Sequence, residues 1–342
     1  MSNLQAALRV SFPFNVYLAA VLSALLASLA AFPWCKKWCV RAGLVDEPGH
    51  RKIHDQIIPL AGGLTVFTAL LIPSVVAALV LMVAAPAGAH FQLLDQGSVF
   101  LLRHGLDVRA YRLEGIMVGA LGMLILGILD DKHELPPGAK FAGQLAIAFL
   151  VAASGIRITL FVPNHIFSYA ITILWILVVI NAFNFMDNMN GLCAGLGGIG
   201  AWYFAIIAAG DGQYLVALIA FLTFGALLGF LPFNFPKAKA FLGDSGSHLV
   251  GYLLAVLAIL PHFYTVRHPR RWAVLIPLFV LAIPLLDLVW VVVLRWRMGR
   301  PFYVGDTNHL SHRLVRLGLT PTLAVLLIWL AATLIGALVY LA

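Results

Sequence analysis

Carboxylates in this very apolar chain recur at the ends of hydrophobic segments. Asp130 and Asp131 close the run LILGILDD, Asp187 closes VVINAFNFMD, and Asp244 lies in FLGDSGSH at the start of a later segment. Charges beside a bilayer are costly and tend to be functional. Carboxylate and water oxygens suit Mg²⁺, which is usually held by one or two carboxylates together with substrate phosphates. The pattern predicts a metal-dependent active site built from loops.

Adjacent carboxylates cannot both stay ionised cheaply without a cation. Asp130 and Asp131 therefore suit a metal, or one of them serves as a base while the other binds metal. If a helix starts near Ser245, Asp244 lies at its N-terminus and could act only as a cap. However, the glycines around it suggest that the backbone passes close to a ligand, which favours a functional role.

Polar residues also mark one face of the segment that precedes Asp187. Asn181, Asn184 and Asp187 recur at spacing i, i+3, i+6, and Asn188 and Asn190 follow. Such a face points into a protein interior or a cavity and not at lipid. Hydrogen bonding between helices explains one such group well but three poorly.

Two loops carry clustered cationic or imidazole side chains. The loop DEPGHRKIHDQ contains Lys52 and His54, which suit a phosphate or nucleotide, although a headgroup anchor fits this loop better when it is taken alone. His309, His312 and Arg313 form H-x2-H-R, and on a helix they would surround one point and suit a pyrophosphate. Zinc is the weaker alternative there. Asp287, inside an apolar run, is a lesser candidate that could equally pair with Arg295 or with another span.

The composition predicts an all-α polytopic membrane protein with one domain, residues 1–342. The chain is 62% hydrophobic and only 11% charged, whereas soluble domains carry roughly 25% charged residues. A span needs about 20 apolar residues, and the first run is expected to be a retained span. Ten spans are predicted, near 14–34, 60–85, 113–130, 141–155, 166–186, 192–210, 214–232, 246–262, 272–294 and 320–342.

Ten spans would place both termini on the same side. The loops that contain the candidate site hold 14 of the 22 Lys and Arg residues, so the positive-inside rule makes these loops cytoplasmic and the termini external. The external loop 86–112 is expected to hold a short amphipathic element. The net charge of +8 indicates lipid headgroups and an anionic substrate as partners and not nucleic acid. The Cys35–Cys39 pair lacks the second pair of a zinc site.

At five loops the chain resembles the polyprenyl-phosphate N-acetylhexosamine-1-phosphate transferases. This membrane family includes the phospho-MurNAc-pentapeptide translocases and the dolichyl-phosphate GlcNAc-phosphotransferases. The matching stretches occur in family order and cover residues 45 to 320. They are RKIH…PLAGG at 51–63, the aspartate pair at 130–131, NAFNFMDNMNGL at 181–192, FLGDSGS at 241–247 and DTNHLSHRL at 306–314.

The resemblance implies transfer of a sugar 1-phosphate from a UDP-sugar to a polyprenyl phosphate, with release of UMP and a need for Mg²⁺ or Mn²⁺. Asp244 would be the best metal ligand, and Asp130 and Asp131 would bind metal or deprotonate the lipid phosphate. The resemblance makes Asp187 part of the catalytic set with His309 and His312. Substrate would be held by Lys52, His54, Asn184, Asn190 and Arg313 as well as by the two histidines.

The fifth loop reads NHLSHRL where peptidoglycan translocases typically carry three consecutive histidines. This departure resembles the bacterial branch that initiates other envelope glycans, which implies UDP-GlcNAc or a related UDP-N-acetylhexosamine and undecaprenyl phosphate at the inner membrane. A homodimer is also expected. The alternatives are a phospho-MurNAc-pentapeptide transferase and, from another class, an anionic-solute transporter. Clustering of the charges at one face and not at the midplane disfavours a transporter.

Overall fold

Helices form nearly all of the regular structure in the computed structural model, which describes residues 12–47, 56–84, 96–263, 271–301, 303 and 306–341. In chain order the elements are α1 (Phe14–Ala42), β1 (Val45–Asp46), β2 (Ile58–Pro59), α2 (Gly62–Ala84), α3 (Gln96–His133), α4 (Pro137–Ala153), α5 (His165–Met186), α6 (Leu192–Gly210), α7 (Tyr214–Asn234), α8 (Gly243–Leu257), a 3₁₀ turn (Arg271–Leu275), α9 (Ile276–Val280), α10 (Ala282–Arg297), α11 (Leu310–Arg316) and α12 (Pro321–Leu341).

The helices confirm an all-α polytopic membrane protein. Among the described residues, seven helices are long and apolar enough to cross a membrane, namely α1, α2, α3, α5, α6, α7 and α12. The 3₁₀ turn and α9 together with α10, bent by 75°, make an eighth if they are one span. Every predicted span contains a helix, but α4 and α8 have only 17 and 15 residues. The count of ten is therefore not confirmed.

Helix α3 overturns the expected external loop at 86–112. It begins at Gln96 and continues for 38 residues without a break, which is about 57 Å at 1.5 Å per residue. The hydrocarbon core of a bilayer is only about 30 Å thick. Residues 96–112 contain no proline that would end a helix, so the helix extends beyond the apolar run. The remainder of the expected loop, residues 86–95, lies outside the described residues.

Helix α8 lies at the centre of the bundle and packs against α2, α3, α5 and α6. All of its side chains except that of Asp244 are buried. Small residues make this packing possible, since a Cβ at Gly127 of α3 would lie 2.3 Å from the Cα of Ser245. The N-terminus of α8 is consequently held against the C-terminal half of α3.

A short hairpin fixes the loop that leads into α8. Strands β1 and β2 pair antiparallel, and the backbone N–H of Phe241 donates to the carbonyl of Pro59 at 3.0 Å. The N–H of Gly62 in turn donates to the carbonyl of Phe241 at 3.1 Å. The close backbone approach that Gly62 permits is therefore an approach to this loop.

The helix ends define two faces of the bundle. The C-terminal ends of α1, α3, α5 and α7 and the N-terminal ends of α2 and α8 meet at one face, which we name the carboxylate end. The N-terminal ends of α1, α3 and α7 lie at the opposite face, which we name the far end. A hydrogen bond of 3.2 Å from Lys132 Nζ to the carbonyl of Ala42 joins α3 and α1 at the carboxylate end.

Candidate active site

Asp131 caps the N-terminus of α8. Its two carboxylate oxygens accept hydrogen bonds from the backbone N–H groups of Asp244, at 2.7 Å, and Ser245, at 3.0 Å. Gly243 precedes them with φ of 74°, a left-handed conformation that favours glycine. The free N–H groups and the dipole of a helix N-terminus attract anions. Asp131 supplies that anion from a position 113 residues earlier in the chain.

Asp130 turns the other way and pairs with Lys140 of α4. The Nζ of Lys140 lies 2.7 Å from Asp130 Oδ2 and 3.3 Å from Asp244 Oδ2, so one ammonium group bridges two carboxylates. Asp130 Oδ1 also accepts a hydrogen bond of 3.0 Å from the N–H of Leu135. Sequence reasoning missed Lys140. The available signal was the turn LPPG, which returns the chain to the end of α3 and brings the first cation of α4 with it.

Asp244 lies between these groups and α5. The side-chain amide of Asn184 donates to Asp244 Oδ1 and, at 3.0 Å, to the hydroxyl of Ser247. Burial alone would raise the pKa of Asp244, but Lys140 and the hydrogen bonds to its carboxylate hold that pKa below its usual value. Asp244 is therefore ionised, and the predicted inward face of α5 contacts it through Asn184.

Asp187 has the opposite electrostatic environment. Burial, followed by the negative charges of Asp244 and Asp131, raises the pKa of Asp187 to about 8, and a hydrogen bond from the N–H of Gly243 only partly opposes this. At neutral pH the metal-free carboxyl group is therefore largely protonated. A cation bound beside Asp187 would favour its ionised form.

A buried polar chain lies beneath the carboxylates. Asn181 donates to Gln144 at 2.9 Å, and the side-chain nitrogen of Gln144 lies 3.3 Å from His248 Nε2. Asp130, Asp244 and His248 offer ligand atoms within 4.8 Å of one another. Sequence reasoning missed Gln144 and His248. Polar residues in apolar helices face the interior, and this rule would have selected both.

The fifth loop is anchored by a buried hydrogen bond between a histidine and an aspartate. His309 Nδ1 lies 2.7 Å from Asp287 Oδ2, and Asp287 Oδ1 accepts the N–H of Leu310 at 2.7 Å. Beside it, Arg295 Nε lies 2.8 Å from Asp306 Oδ2. Asp287 thus has His309 as its partner, and it fixes the start of α11.

His309 and His312 lie near each other, with ring centroids 6.4 Å apart, and His309 is the non-helical N-cap of α11. Arg313 does not join them as the sequence predicted. The Arg313 guanidinium lies over the ring of Trp290, 4.8 Å from its centroid. Burial, and then the charge of His309, lower the pKa of His312. His312 is therefore a neutral imidazole at pH 7.

One cavity of about 860 Å³ connects most of these groups. This volume lies within the roughly 300–1,000 Å³ of small-molecule sites. Its described lining includes the predicted residues Asp130, Asp131, Asp187, Asp244, Asn190 and His312, together with apolar side chains that include Phe235, Val315 and Val325. Asn184, His309 and Arg313 do not line it. Lys52 and His54, predicted to bind substrate, lie outside the described residues.

Comparison with known proteins identifies the family. Residues 113–262, from α3 to just beyond α8, match the family described as glycosyl transferase family 4. A protein of Bacillus subtilis (strain 168), "Probable undecaprenyl-phosphate N-acetylglucosaminyl 1-phosphate transferase", is 32% identical over 319 residues, which cover 91% of this chain and 80% of that protein. The chain belongs to glycosyl transferase family 4.

Two further relatives of this family 4 enzyme have names of the same kind. The decaprenyl-phosphate N-acetylglucosaminephosphotransferase of Mycolicibacterium smegmatis is 32% identical over 337 residues, covering 90% of this chain and 78% of that protein. The undecaprenyl-phosphate alpha-N-acetylglucosaminyl 1-phosphate transferase of Escherichia coli (strain K12) is 27% identical over 320 residues, with 89% and 78% covered. The family match contains Asp130, Asp131, Asp187 and Asp244 of the cavity lining, whereas Asp46 and His312 lie outside residues 113–262.

Proposed function

We propose that this family 4 enzyme transfers GlcNAc-1-phosphate from UDP-GlcNAc to undecaprenyl phosphate. The products are UMP and undecaprenyl-diphospho-GlcNAc, which would initiate an envelope glycan. The observation that carries the proposal is the single cavity in which Asp130, Asp187 and Asp244 meet an apolar wall. The names of the Bacillus subtilis and Escherichia coli relatives supply the substrates.

The donor set fits Mg²⁺, with Asp244 and Asp187 as the ligands. Asp131 is committed to the α8 amides and Asp130 to Lys140, whereas Asp187 lines the cavity with Asp244 and forms no ion pair with a described residue. Carboxylate oxygens suit Mg²⁺, and substrate phosphates usually complete its coordination. When bound, the ion would neutralise charge on the diphosphate. This assignment keeps Asp244 from the sequence prediction and replaces Asp130 and Asp131 by Asp187.

The reaction joins two anions, so positioning and charge neutralisation dominate its catalysis. A phosphate oxygen of the lipid attacks the phosphorus that bears the sugar, and the bond from that phosphorus to the bridging oxygen of UMP breaks. Lys140 places a cation beside Asp130 and Asp244 at 2.7 and 3.3 Å. Asp130 lines the cavity and is placed to take the proton of the lipid phosphate. His312, as a neutral imidazole, donates one hydrogen bond to a phosphate oxygen.

We place the carboxylate end in the cytoplasm of a bacterium, at the inner membrane, with both termini outside and a homodimer as the assembly. The distribution of Lys and Arg supports this orientation. UDP-sugars are water-soluble and undecaprenyl phosphate is a lipid, so a site at one end of the spans serves both. The apolar wall at Phe235 and Val325 suits the lipid.

Release of UMP by the purified protein tests the proposal. The assay contains UDP-GlcNAc, undecaprenyl phosphate and Mg²⁺, with and without EDTA. Lipid-dependent release that EDTA abolishes is expected. Release with UDP-MurNAc-pentapeptide but not with UDP-GlcNAc would replace the proposed donor. Absence of UMP release with every UDP-sugar, combined with uptake of an anionic solute, would replace the transferase by a transporter.

A further inference from the structure

Three arginines on α3 lie at the far end, where the positive-inside rule does not predict cations. Arg103 has a partner, since its Nε lies 3.9 Å from Asp107 Oδ2. Arg112 approaches the turn at Gly155, where a Cβ would lie 3.6 Å from its Nε. Arg109 is half-buried, forms no ion pair with a described residue, and lines a cavity. Arg109 therefore offers this cavity a guanidinium group that forms no ion pair with a described carboxylate.

This far-end cavity has a volume of about 270 Å³ and lies between the start of α1, the first part of α3 and the turn before α7. Phe12 and Tyr214 form part of its wall, with ring centroids 5.1 Å apart in an edge-to-face arrangement. These aromatics stand where the spans α1 and α7 begin. Aromatic side chains are enriched at this depth, the headgroup level of a bilayer.

The lining suits a phosphodiester that carries hydrocarbon. The planar fork of Arg109 matches phosphate oxygens, and His104 adds a ring nitrogen. Gln213 is already occupied, because its side chain exchanges hydrogen bonds of 3.2 and 2.9 Å with the backbone of His262. No carboxylate is present among the described lining residues. Leu101 and Val108 are more than half exposed beside the arginine.

The size of the cavity favours a lipid headgroup over a larger ligand. Its volume lies below the roughly 300–1,000 Å³ typical of small-molecule sites, and the cavity at the carboxylate end is about three times larger. A nucleotide sugar therefore fits the far-end cavity poorly. A phosphate with a short polar substituent fits it, with acyl chains passing outside over Leu101 and Val108.

We propose that this far-end cavity binds an anionic glycerophospholipid, with Arg109 holding its phosphate and His104 assisting. The ligand is a structural lipid of the leaflet opposite the active site and not a substrate. The proposal does not depend on the transferase activity, since it concerns residues at the other face of the bundle.

Native mass spectrometry of the full chain, released from nanodiscs, tests this site. The probes are phosphatidylglycerol and phosphatidylcholine in competition. We expect one retained phosphatidylglycerol, and Arg109→Gln should weaken its affinity about fivefold, as for removal of one cation near an anionic lipid. Arg109→Lys should keep most of the retention. Arg103→Gln is the matched control, because it removes the same charge from the same helix outside the cavity.

Two results would overturn the proposal. Equal retention of phosphatidylglycerol by the Arg109→Gln and Arg103→Gln proteins would show that only the overall charge matters. Displacement of the lipid by millimolar glycerol 1-phosphate would show a free-anion site without a role for the acyl chains. Thermal unfolding of the same preparations shows whether each variant is folded. If Arg109→Gln is misfolded, the comparison of Arg109→Lys with Arg109→Met decides instead.

Discussion

The carboxylate of Asp131 accepts the backbone N–H of Asp244 at 2.7 Å, so one aspartate orients another through the main chain. The bond fixes the first turn of α8 relative to the end of α3. It also occupies the oxygens that the sequence had offered to a metal. Asp130 and Asp131, although adjacent, therefore have different roles: Asp130 faces Lys140, and Asp131 holds the helix that carries Asp244.

Replacing Asp131 by alanine should weaken both the fold and the reaction. The α8 amides lose their acceptor, and loss of a helix cap costs about 0.5–2 kcal/mol. Transfer should fall further than this stability loss explains, because Asp244 loses its position. Asp131→Asn keeps one acceptor oxygen and should lie between the two. Thermal unfolding and UMP release measure these effects; an Asp131→Ala protein with full activity would contradict the positioning role.

Asp244→Asn should abolish transfer while the protein remains inserted and folded. The amide loses the charge that would bind the metal, but it keeps the size of the side chain and can still contact Asn184. Asp107→Asn, at an exposed site of the far end, is the matched control and should retain activity. UMP release after purification to equal amounts reports the result. An active Asp244→Asn enzyme would remove Asp244 from the metal site.

Lys140→Met should lower turnover by at least tenfold. The change leaves Asp130 and Asp244 without the ammonium group that bridges them, and like charges then raise the cost of ionising both. Lys140→Arg keeps the charge and should recover part of the rate. Lys132→Met, on the neighbouring exposed cation, should change little. Equal rates for the two methionine variants would exclude a specific role for Lys140.

Mg²⁺ affinity should rise as the pH is raised from 6 to 8 and then level off. The pKa of Asp187, about 8 in the metal-free protein, means that the metal must displace a proton below that pH. Each unit below it costs up to tenfold in apparent affinity. The same raised pKa makes the folded metal-free protein bind this proton more tightly than the unfolded chain. The stabilisation of the folded protein by the proton on Asp187 is therefore lost as the pH rises through 8.

Thermal shifts against Mg²⁺ at several pH values measure this dependence. Asp187→Asn removes the titrating group and should flatten the profile while weakening binding overall. A profile in the Asp187→Asn protein that is as steep as in the parent would assign the linked proton to another group.

His312→Ala and Asp287→Ala should separate catalysis from folding. His312 lines the cavity, so its loss should cut turnover more than stability. Asp287 is buried and bonded to His309 and Leu310, and each unsatisfied buried group costs about 1–3 kcal/mol. Asp287→Ala should therefore lower the unfolding temperature first. The reverse order of effects would exchange the roles of the two residues.

The sequence predicted which residues gather at the site far better than it predicted their partners. The recurrence of Asp130, Asp187 and Asp244 at the ends of apolar segments was enough to place them together, because helix ends in a membrane are confined to two planes. The contact between Asp131 and α8 joins positions 113 residues apart. No local pattern contains it.

Two local rules were incomplete at points where tertiary contacts dominate. The H-x2-H-R pattern placed Arg313 beside the two histidines, but its guanidinium lies over the ring of Trp290 of α10. The glycines beside Asp244 suggested a ligand. Gly243 lines the cavity and also forms the turn next to Asp131, whereas the space at Gly246 is filled by Leu242 and the backbone of Gly63.

Because α3 is one unbroken helix, a displacement at one of its ends is transmitted across the bilayer to the other end. Arg109 and Asp131 lie on the same continuous helix, about 33 Å apart at 1.5 Å per residue. A span adjusts its tilt to the thickness of the surrounding lipid, and a rigid rod cannot tilt at one end alone. A change in bilayer thickness that displaces the far end of α3 therefore also displaces Asp131 and, with it, the first turn of α8. The thickness of the surrounding membrane consequently affects the geometry around Asp244.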